Sequence, residues 1–419
     1  MTILPLAVKS LANRRFPALL TLATIAISVM LLLGVQHVRD EARQSFASTI
    51  SGTDLIVGAR SGPINLLLYA VFHIGDATNN VSWQSYKEIS ALPDVAWSIP
   101  ISLGDSHKGF RVVGTTPEFF SHYLYGAKHA LEFSSGAPFS DLYDAVVGAE
   151  VASKLGYTPG QTIVIAHGTG MLTTADHADK PFRIVGVLRR TGTPVDSSVI
   201  VSLAAIEAIH IDWQSGARVP GQTISADAAR AQDLTPTTIT AFLLGLKSRI
   251  ATFGLQRQIN EYEAEPLLAI LPGVTLQQLW GLVGIAENAL LVVSALVVVA
   301  GLLGMLTALV TTLNERRREM AILRSIGARP HHVFALLALE AGLLTVGGIV
   351  VGLGLLYVGL AMARGFVEAR YGLQVSLRPP NSQELILLGA VCVSGLLAGC
   401  LPAWLAYRNA LADGLSLRL

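Results

Sequence analysis

Charge is what this sequence has least of. Only 14% of its 419 residues are Asp, Glu, Lys or Arg, against about 25% in a soluble globular domain. With 52% hydrophobic residues and a mean hydropathy of +0.53, the deficit excludes an ordinary water-soluble chain and points to a membrane protein. Cysteine is nearly absent. Cys392 and Cys400 both fall in one C-terminal apolar run, so neither a disulfide framework nor a cysteine metal site can be built outside the membrane. Catalytic signatures are missing too. There is no G-x-x-x-x-G-K-[ST], hence no P-loop within these residues, and no H-E-x-x-H, G-x-S-x-G or C-x-x-C.

What the sequence does have is long apolar runs. Four are long enough to span a bilayer, which takes about 20 residues: 17–35, 281–313, 333–363 and 384–407. Between the first two lie about 245 residues of mixed composition, enough for one or two folded domains. Lys9, Arg14 and Arg15, then Arg316, Arg317, Arg318, Arg324 and Arg329, then Arg408 and Arg418 fall on one side of a four-span chain. The positive-inside rule makes that side the cytoplasm, with both termini there. Arg364, Arg370 and Arg378 on the opposite side soften this contrast without reversing it. The insertion carries 17 basic and 22 acidic residues between positions 39 and 265, which suits an outward-facing domain. A cleaved signal peptide over 17–35 is the rival reading, but the run is long for a signal core and the four-span parity needs it.

The second apolar run holds 33 residues without a breaking proline, about 50 Å of helix against about 30 Å of hydrocarbon. Its excess is expected to project outward as a stalk, with Glu287 near the outer end. Residues 36–50 contain no Pro or Gly, so the first helix is expected to extend likewise. The fold class is therefore four transmembrane α-helices, the first two with long stalk extensions, plus a large α+β domain between them. In order, the expected parts are a cytoplasmic segment at 1–16, helix and stalk at 17–50 and the external domain at 51–265. Stalk and helix follow at 266–313, a cytoplasmic helix at 314–332, a helix at 333–363, an external loop at 364–383, a helix at 384–407 and a cytoplasmic tail at 408–419.

In the external domain, 54–59, 95–103, 110–114, 145–148, 162–166, 182–188, 198–202 and 238–244 read as strands. Helices are expected at 82–92, 149–155, 203–210 and 247–262, with 211–233 a loop or small subdomain. Residues 63–74 (PINLLLYAVFHI) are too apolar for an exposed loop and too short to span. Core packing is one reading. A contact for a periplasmic partner through Leu66, Leu67, Leu68, Tyr69 and Phe72 is the other. Eight histidines lie outside the spans (His37, His73, His107, His122, His129, His167, His177 and His210) at irregular spacings that single out no metal site. Within the spans, Glu340 is read as a packing and hydrogen-bonding residue, a proton or cation relay being the alternative. Gly348-x-x-x-Gly352 and Gly395-x-x-x-Gly399 suit close helix approach within the bundle or at a dimer seam.

One charged stretch, 314–333 (NERRREMAILRSIGARPHHV), separates the second and third runs. Its first part has no Gly or Pro, and Met320, Leu323 and Ile326 share one helical face. Gly327 is a plausible C-terminal cap, and Pro330 blocks continuation. A connection alone needs only about 2–8 residues. The stretch is thus a short amphipathic helix whose apolar face needs a partner, either lipid headgroups or a groove on a cytoplasmic protein.

These residues also resemble a known family. Glu315 to Arg329 (ERRREMAILRSIGAR), followed by Glu340 and a glycine-rich span, is similar to the signature of FtsX/MacB-type ABC permeases, which include the LolC/LolE-like lipoprotein-releasing permeases. The start at 6–27 (LAVKSLANRRFPALLTLATIAI) and the close at 401–415 (LPAWLAYRNALADGL) resemble the family's ends. Residues 146–165 and 181–188 look like its periplasmic core domain. The resemblance implies a permease subunit in the bacterial inner membrane, with no catalysis and no cofactor of its own. ATP and Mg would be held by a separate cytoplasmic ABC ATPase, in two copies. Glu315, Arg316, Arg317, Arg318, Glu319, Met320, Leu323, Arg324, Ile326 and Gly327 would form the coupling helix that docks on that ATPase. Further implied partners are a second permease subunit, more readily a homodimer than a heterodimer, a periplasmic adaptor, lipoprotein or enzyme, and membrane lipid, but no nucleic acid. Mechanotransmission from ATPase to periplasm, driving export or extraction of a substrate, is the implied function. An FtsX-like module that activates a periplasmic enzyme without transport, and a metal-linked transport system, are the alternatives. The 211–233 stretch is short where MacB has a larger subdomain, and no lipoprotein-carrier hook is recognisable, so neither drug efflux nor lipoprotein release carries over.

Overall fold

The computed structural model describes residues 3–168, 175–214, 217–218, 224–315, 322, 325, 327–371 and 377–409. The chain divides into two units, a helical one (Met1–Glu41, Gly284–Phe366, Val375–Leu419) and a mixed one (Ala42–Val283, Val367–Gln374).

Four helices are long and apolar enough to cross a membrane, with apolar stretches in Arg15–Gln44, Pro272–Thr311, Pro330–Phe366 and Ser382–Leu405. The full helices run Arg15–Ser48, Pro272–Glu315, Pro330–Tyr371 and Ser382–Asn409. The first two are single helices of 34 and 44 residues, about 50 and about 66 Å long at 1.5 Å per residue. Both exceed the hydrocarbon thickness, as the absence of breakers in 36–50 and 281–313 led us to expect. Two differences have the same origin. The expected loop at 364–383 begins as helix, because no proline interrupts the chain between Pro330 and Pro379. The N-terminal segment forms its own helix, Ile3–Asn13.

The mixed unit is built on one large sheet. Its main path runs Leu267–Ile270, Leu55–Ala59, Ala241–Leu246, Val95–His107, Phe110–Thr115, Ser198–Ser202, Asp144–Val147, Phe182–Leu188 and Phe133–Gly136. Two neighbouring pairs are parallel, Ser198–Ser202 with Phe110–Thr115 and Phe182–Leu188 with Asp144–Val147. The helix Ala149–Leu155 lies in the crossover of the second pair, as a parallel connection requires. Successive strand side chains point to opposite faces, and here both faces are dry. Ile56, Val146, Ile200 and Leu243 enter one core. Their neighbours Ala145, Val147, Val199 and Val201 enter a second, and Leu55, Val57, Phe242 and Leu244 a third. Such double-sided burial explains why these strands read as continuous apolar runs rather than alternating ones.

Most expected elements are present with small boundary shifts. The expected strand 162–166 is split into Thr162–Ile163 and Ala166–His167. The expected helix 247–262 is a 3-10 turn, Arg249–Ala251, followed by Thr252–Asn260. Ser82 and Ser202 cap the helices Trp83–Ser90 and Leu203–His210, each Oγ accepting from the backbone N–H three residues on at 3.1 Å. The described part of 211–233 holds a two-stranded ribbon, Trp213–Gln214 with Ala217–Arg218, and a short helix, Ala226–Arg230.

Of the two readings of 63–74, core packing rather than partner contact is the one the structure supports. The stretch forms the helix Pro63–Phe72, in which Leu66, Leu67, Tyr69 and Phe72 are buried and Leu68 packs against them. Once the sheet presents a full apolar face, Leu66, Leu67, Tyr69 and Phe72 are taken up by it, with Leu68 half-buried beside them. Gly58 lets the helix approach. A Cβ there would lie 2.6 Å from both Leu66 Cδ1 and the Tyr69 hydroxyl.

His73 ends this helix in the left-handed region, with φ of 55°. Ser198 Oγ donates to the Pro194 carbonyl at 2.8 Å, so it accepts from His73 Nδ1 at 3.0 Å. Burial, reinforced by the nearby Arg111 charge, lowers the His73 pKa to about 4. The unfolded chain therefore takes up this proton before the folded one does. The resulting stability is present above the ordinary histidine value of about 6.5 and is lost as pH falls from there toward 4. For a half-buried ring we expect a loss on the order of 1–2 kcal/mol between pH 7 and pH 4.5. His73→Asn, which tolerates the left-handed backbone, should flatten this part of a pH series of thermal unfolding curves. An unchanged slope would contradict the assignment.

Candidate functional site

The charged connection comes first. Arg316, Arg317, Arg318, Glu319, Met320, Leu323, Arg324 and Ile326 lie outside the described residues. The boundaries of the stretch are described. Glu315 is the last residue of the helix Pro272–Glu315. Gly327 has φ of 98°, the left-handed geometry of a helix-ending glycine. The next helix opens on Pro330, a residue suited to a first helical position. Arg329 N–H donates to His332 Nδ1 at 3.1 Å, and His332 N–H returns to the Arg329 carbonyl at 2.9 Å.

Within the helical unit, the glycine pairs find their partners in this same chain. A Cβ at Gly348 would lie 2.5 Å from Ile25 Cγ2, and one at Gly352 would lie 2.6 Å from the Ala26 carbonyl and 3.0 Å from Val29 Cβ. Gly348 and Gly352 therefore seat the third spanning helix on the first. Gly395 and Gly399 would collide with Thr345 and Ala341 if given a Cβ, so they seat the fourth helix on the third. Both pairs serve packing inside the bundle. Glu340 is 2% exposed and lines a small cavity with Ser10, Arg14, Thr21 and Ala308.

A charged network joins residues 36–41 of the first helix to residues 378–384. Arg378 reaches Glu384 from Nη1 at 3.1 Å and Nη2 at 3.3 Å, Glu41 from Nε at 3.3 Å, and Asp40 at 3.5 Å. His37, 2% exposed, places Nδ1 at 3.3 Å from Glu384 Oε1. Asn381 and Glu384 form a capping box: Asn381 N–H donates to Glu384 Oε2 at 2.7 Å, and Glu384 N–H to Asn381 Oδ1 at 2.8 Å. Arg39 and Glu287 approach to 2.7 Å, pairing the first and second helices as a charge contact. The apolar run located the fourth helix from 384 on, but not this cap. Nor did it show the link to Arg378 and His37, 347 residues away in the chain for His37. In the mixed unit, sequence spacing also gave no sign that His167, His177 and His210 converge on Asp105.

Two family models match the chain, and they cover the two kinds of structure just described. Residues 18–240 match the MacB-like periplasmic core domain, and residues 291–412 match the FtsX-like permease C-terminal region. The first match alone covers more than half of the chain, so the protein belongs to the FtsX/MacB-type ABC transporter permeases. It is a multi-pass membrane protein whose large insert is a MacB-like periplasmic core domain. A curated macrolide export ATP-binding/permease protein MacB from Azoarcus sp. (strain BH72) is 23% identical over 421 residues, covering 96% of this chain and 57% of that protein. A protein of the same name from Shewanella oneidensis (strain MR-1) is 23% identical over 420 residues, covering 97% and 59%. The chain thus spans less than two thirds of the length of these relatives. The crystal structure of the periplasmic region of MacB from Actinobacillus actinomycetemcomitans aligns with 55% of this chain and 94% of that one, at 10% identity and a TM-score of 0.33.

Two outcomes test the helical unit. Gly352→Val forces side-chain atoms against the Ala26 carbonyl and should destabilise the detergent-solubilised protein by about 1–3 kcal/mol. Gly354→Val, where a Cβ would meet nothing within 4 Å, should leave the unfolding temperature unchanged; equal losses for the two would refute the seam. Arg378→Ala leaves three carboxylates close together and should cost about 2–4 kcal/mol. Arg378→Lys should recover part of that in the same melting assay.

Proposed function

We propose that this chain is the transmembrane subunit of an ABC transporter whose ATPase is a separate cytoplasmic chain, and that it works by mechanotransmission. The observation that supports this reading best is the pair of unbroken helices, 34 and 44 residues long, that continue from the first two spans into the inserted domain. An α-helix resists bending through its hydrogen-bond ladder, and neither stalk portion contains an interrupting proline. Displacement at one end of such a rod is delivered to the other.

On this reading the stretch from Glu315 to Gly327 is the input. Its arginines and glutamates engage the ATPase, and Met320, Leu323 and Ile326 fill an apolar groove on it. Gly327 and Pro330 fix where the coupling helix stops and the third span begins. The relatives are named as ATP-binding/permease proteins, and on this reading ATP and Mg are held by the ABC ATPase that the charged stretch engages. Closure of two ATPase copies would move two permease subunits, with the termini and the charged stretch on the cytoplasmic side. The periplasmic core domain is the output, and export or extraction happens there without passage of the substrate through the helix bundle.

The test uses the complex co-purified with its ATPase in lipid nanodiscs. Arg316→Ala, Glu319→Ala and Gly327→Val should leave the permease folded yet reduce its stimulation of ATP hydrolysis by roughly 10-fold or more, since a docking anchor at an interface centre is worth at least 1.4 kcal/mol. Stimulation that persists at the wild-type level in all three would sink the coupling role.

A further inference from the structure

We propose that the periplasmic core domain binds one zinc ion through Asp105, His167, His177 and His210. These four side chains offer ligand atoms that all lie within 4.8 Å of one another. They arrive from three structures. Asp105 sits near the end of the long strand Val95–His107. His167 lies directly opposite it in the pairing of Ala166–His167 with that strand. His177 follows the strand Ala175–Asp176, which pairs with Ala166–His167. His210 is the last residue of the helix Leu203–His210.

The spacing fits zinc. Bonds of about 2.0–2.1 Å in a tetrahedron put ligand atoms about 3.3 Å apart. Here His167 Nδ1 lies 3.2 Å from Asp105 Oδ1 and 3.1 Å from His210 Nε2, and His210 Nε2 lies 3.4 Å from Asp105 Oδ1. The tautomer of His210 is set correctly for a ligand: its Nδ1–H donates to the Ile206 carbonyl at 2.9 Å, which turns the Nε2 lone pair toward the cluster. Asp105 is 2% exposed, so its carboxylate is held away from solvent among the three imidazoles.

A second observation comes from His177. It is 1% exposed, yet neither of its ring nitrogens has a hydrogen-bond partner among the described residues. Leaving such a group unpaired forfeits its hydrogen bonds to water with nothing in return, and folded proteins rarely tolerate it. His107, 3% exposed in the same domain, shows the ordinary solution: Nδ1 meets the Val164 carbonyl at 2.6 Å and Nε2 meets the Tyr157 hydroxyl at 2.9 Å. A zinc ion among the four ligands would meet one of these two nitrogens. Trp213 packs against all three imidazoles, with ring centroids at 5.4, 4.7 and 6.0 Å, and walls the cluster on an apolar side.

The surroundings hold the ligands in place. Lys180 and Asp212, both fully buried, pair at 2.7 Å. They tie the segment carrying His177 to the segment carrying His210. His167 and His210 keep 31% and 26% of their side-chain surface exposed, so the ion can enter and leave from that edge. Three imidazoles and a carboxylate suit zinc, with copper and nickel as competitors. Four protein ligands leave no open position, which makes the site one for binding or structure rather than hydrolysis.

The test titrates chelator-stripped full-length protein in detergent with zinc chloride alone, reading bound metal against a chromophoric chelator. One zinc per chain is expected, and cobalt(II) in its place should show the intense visible absorption of tetrahedral coordination. His177→Ala and His167→Ala should each weaken zinc binding about 10-fold or more, while His122→Ala should not. His167 stands at the partly exposed edge, so its loss spares the core and keeps the result independent of folding. No stoichiometric zinc on the wild type, or equal affinity in wild type, His167→Ala and His177→Ala, would overturn the proposal. Neither readout involves ATP hydrolysis or transport, so the zinc site and the permease reading stand or fall separately.

Discussion

A backbone amide in hydrocarbon has no water to bond, and that constraint organises the helical half of this protein. Only helices and closed barrels satisfy every N–H and C=O across a bilayer, and an apolar run of about 20 residues that must satisfy its backbone within itself is helical. The chain then extends its helices past the need. The first two helices continue for tens of ångströms beyond a hydrocarbon thickness because nothing in their sequences stops them. Between apolar surfaces there is little hydrophobic gain on association in lipid, so the helices hold each other by contact and hydrogen bonding. Gly348, Gly352, Gly395 and Gly399 are the places where contact needs the side chain removed. Ser28 supplies a hydrogen bond, its Oγ reaching the Val297 carbonyl on the second helix at 3.2 Å; Gly301 lies against that Oγ, where a Cβ would come within 2.9 Å.

The inserted domain answers the opposite problem. In water a sheet must bury its apolar faces, and this one buries both, with helices on each side. The helix Pro63–Phe72 shows how far that demand reaches. Its sequence is apolar enough to suggest an exposed contact, but the broad face carrying Ile56, Ile99 and Leu243 absorbs it. A sequence window records how apolar a segment is. It does not record how much apolar surface awaits it elsewhere in the chain.

That distinction separates what was legible from what was not. Periodicity and breaker residues located the four spanning helices, the strands Phe182–Leu188 and Ser198–Ser202, and the helices Ala149–Leu155 and Leu203–His210, because those signals are local. Gly327 was readable as a left-handed stop for the same reason. Sheet order was not readable, since pairing Ile56 with Leu243 and Ile270 joins residues some two hundred positions apart. The Arg378 network and the Asp105 cluster were invisible on the same ground. His167, His177 and His210 have no motif spacing, and the carboxylate they meet comes from a strand more than sixty positions before the nearest of them.

Polar groups buried in the core domain fall into two kinds, and the difference carries physical weight. Lys180 meets Asp212 at 2.7 Å and lies 3.6 Å from Asp179, so its buried charge is matched by nearby carboxylates. Asp196 does the same with backbone, its carboxylate accepting from Thr191 N–H at 2.8 Å and Gly192 N–H at 2.7 Å. The histidine cluster is not matched this way. Asp105, His167 and His210 can share protons among three ligand atoms, but His177 stands within reach with both nitrogens unmet among the described residues. Low dielectric makes that arrangement unfavourable in isolation. It becomes favourable when a cation that prefers imidazole sits among the four, since the same low dielectric then strengthens every ligand contact. The cluster also lies where a strand, a hairpin and a helix end meet, so an ion bound there would couple three elements that the sheet alone holds only through their backbones.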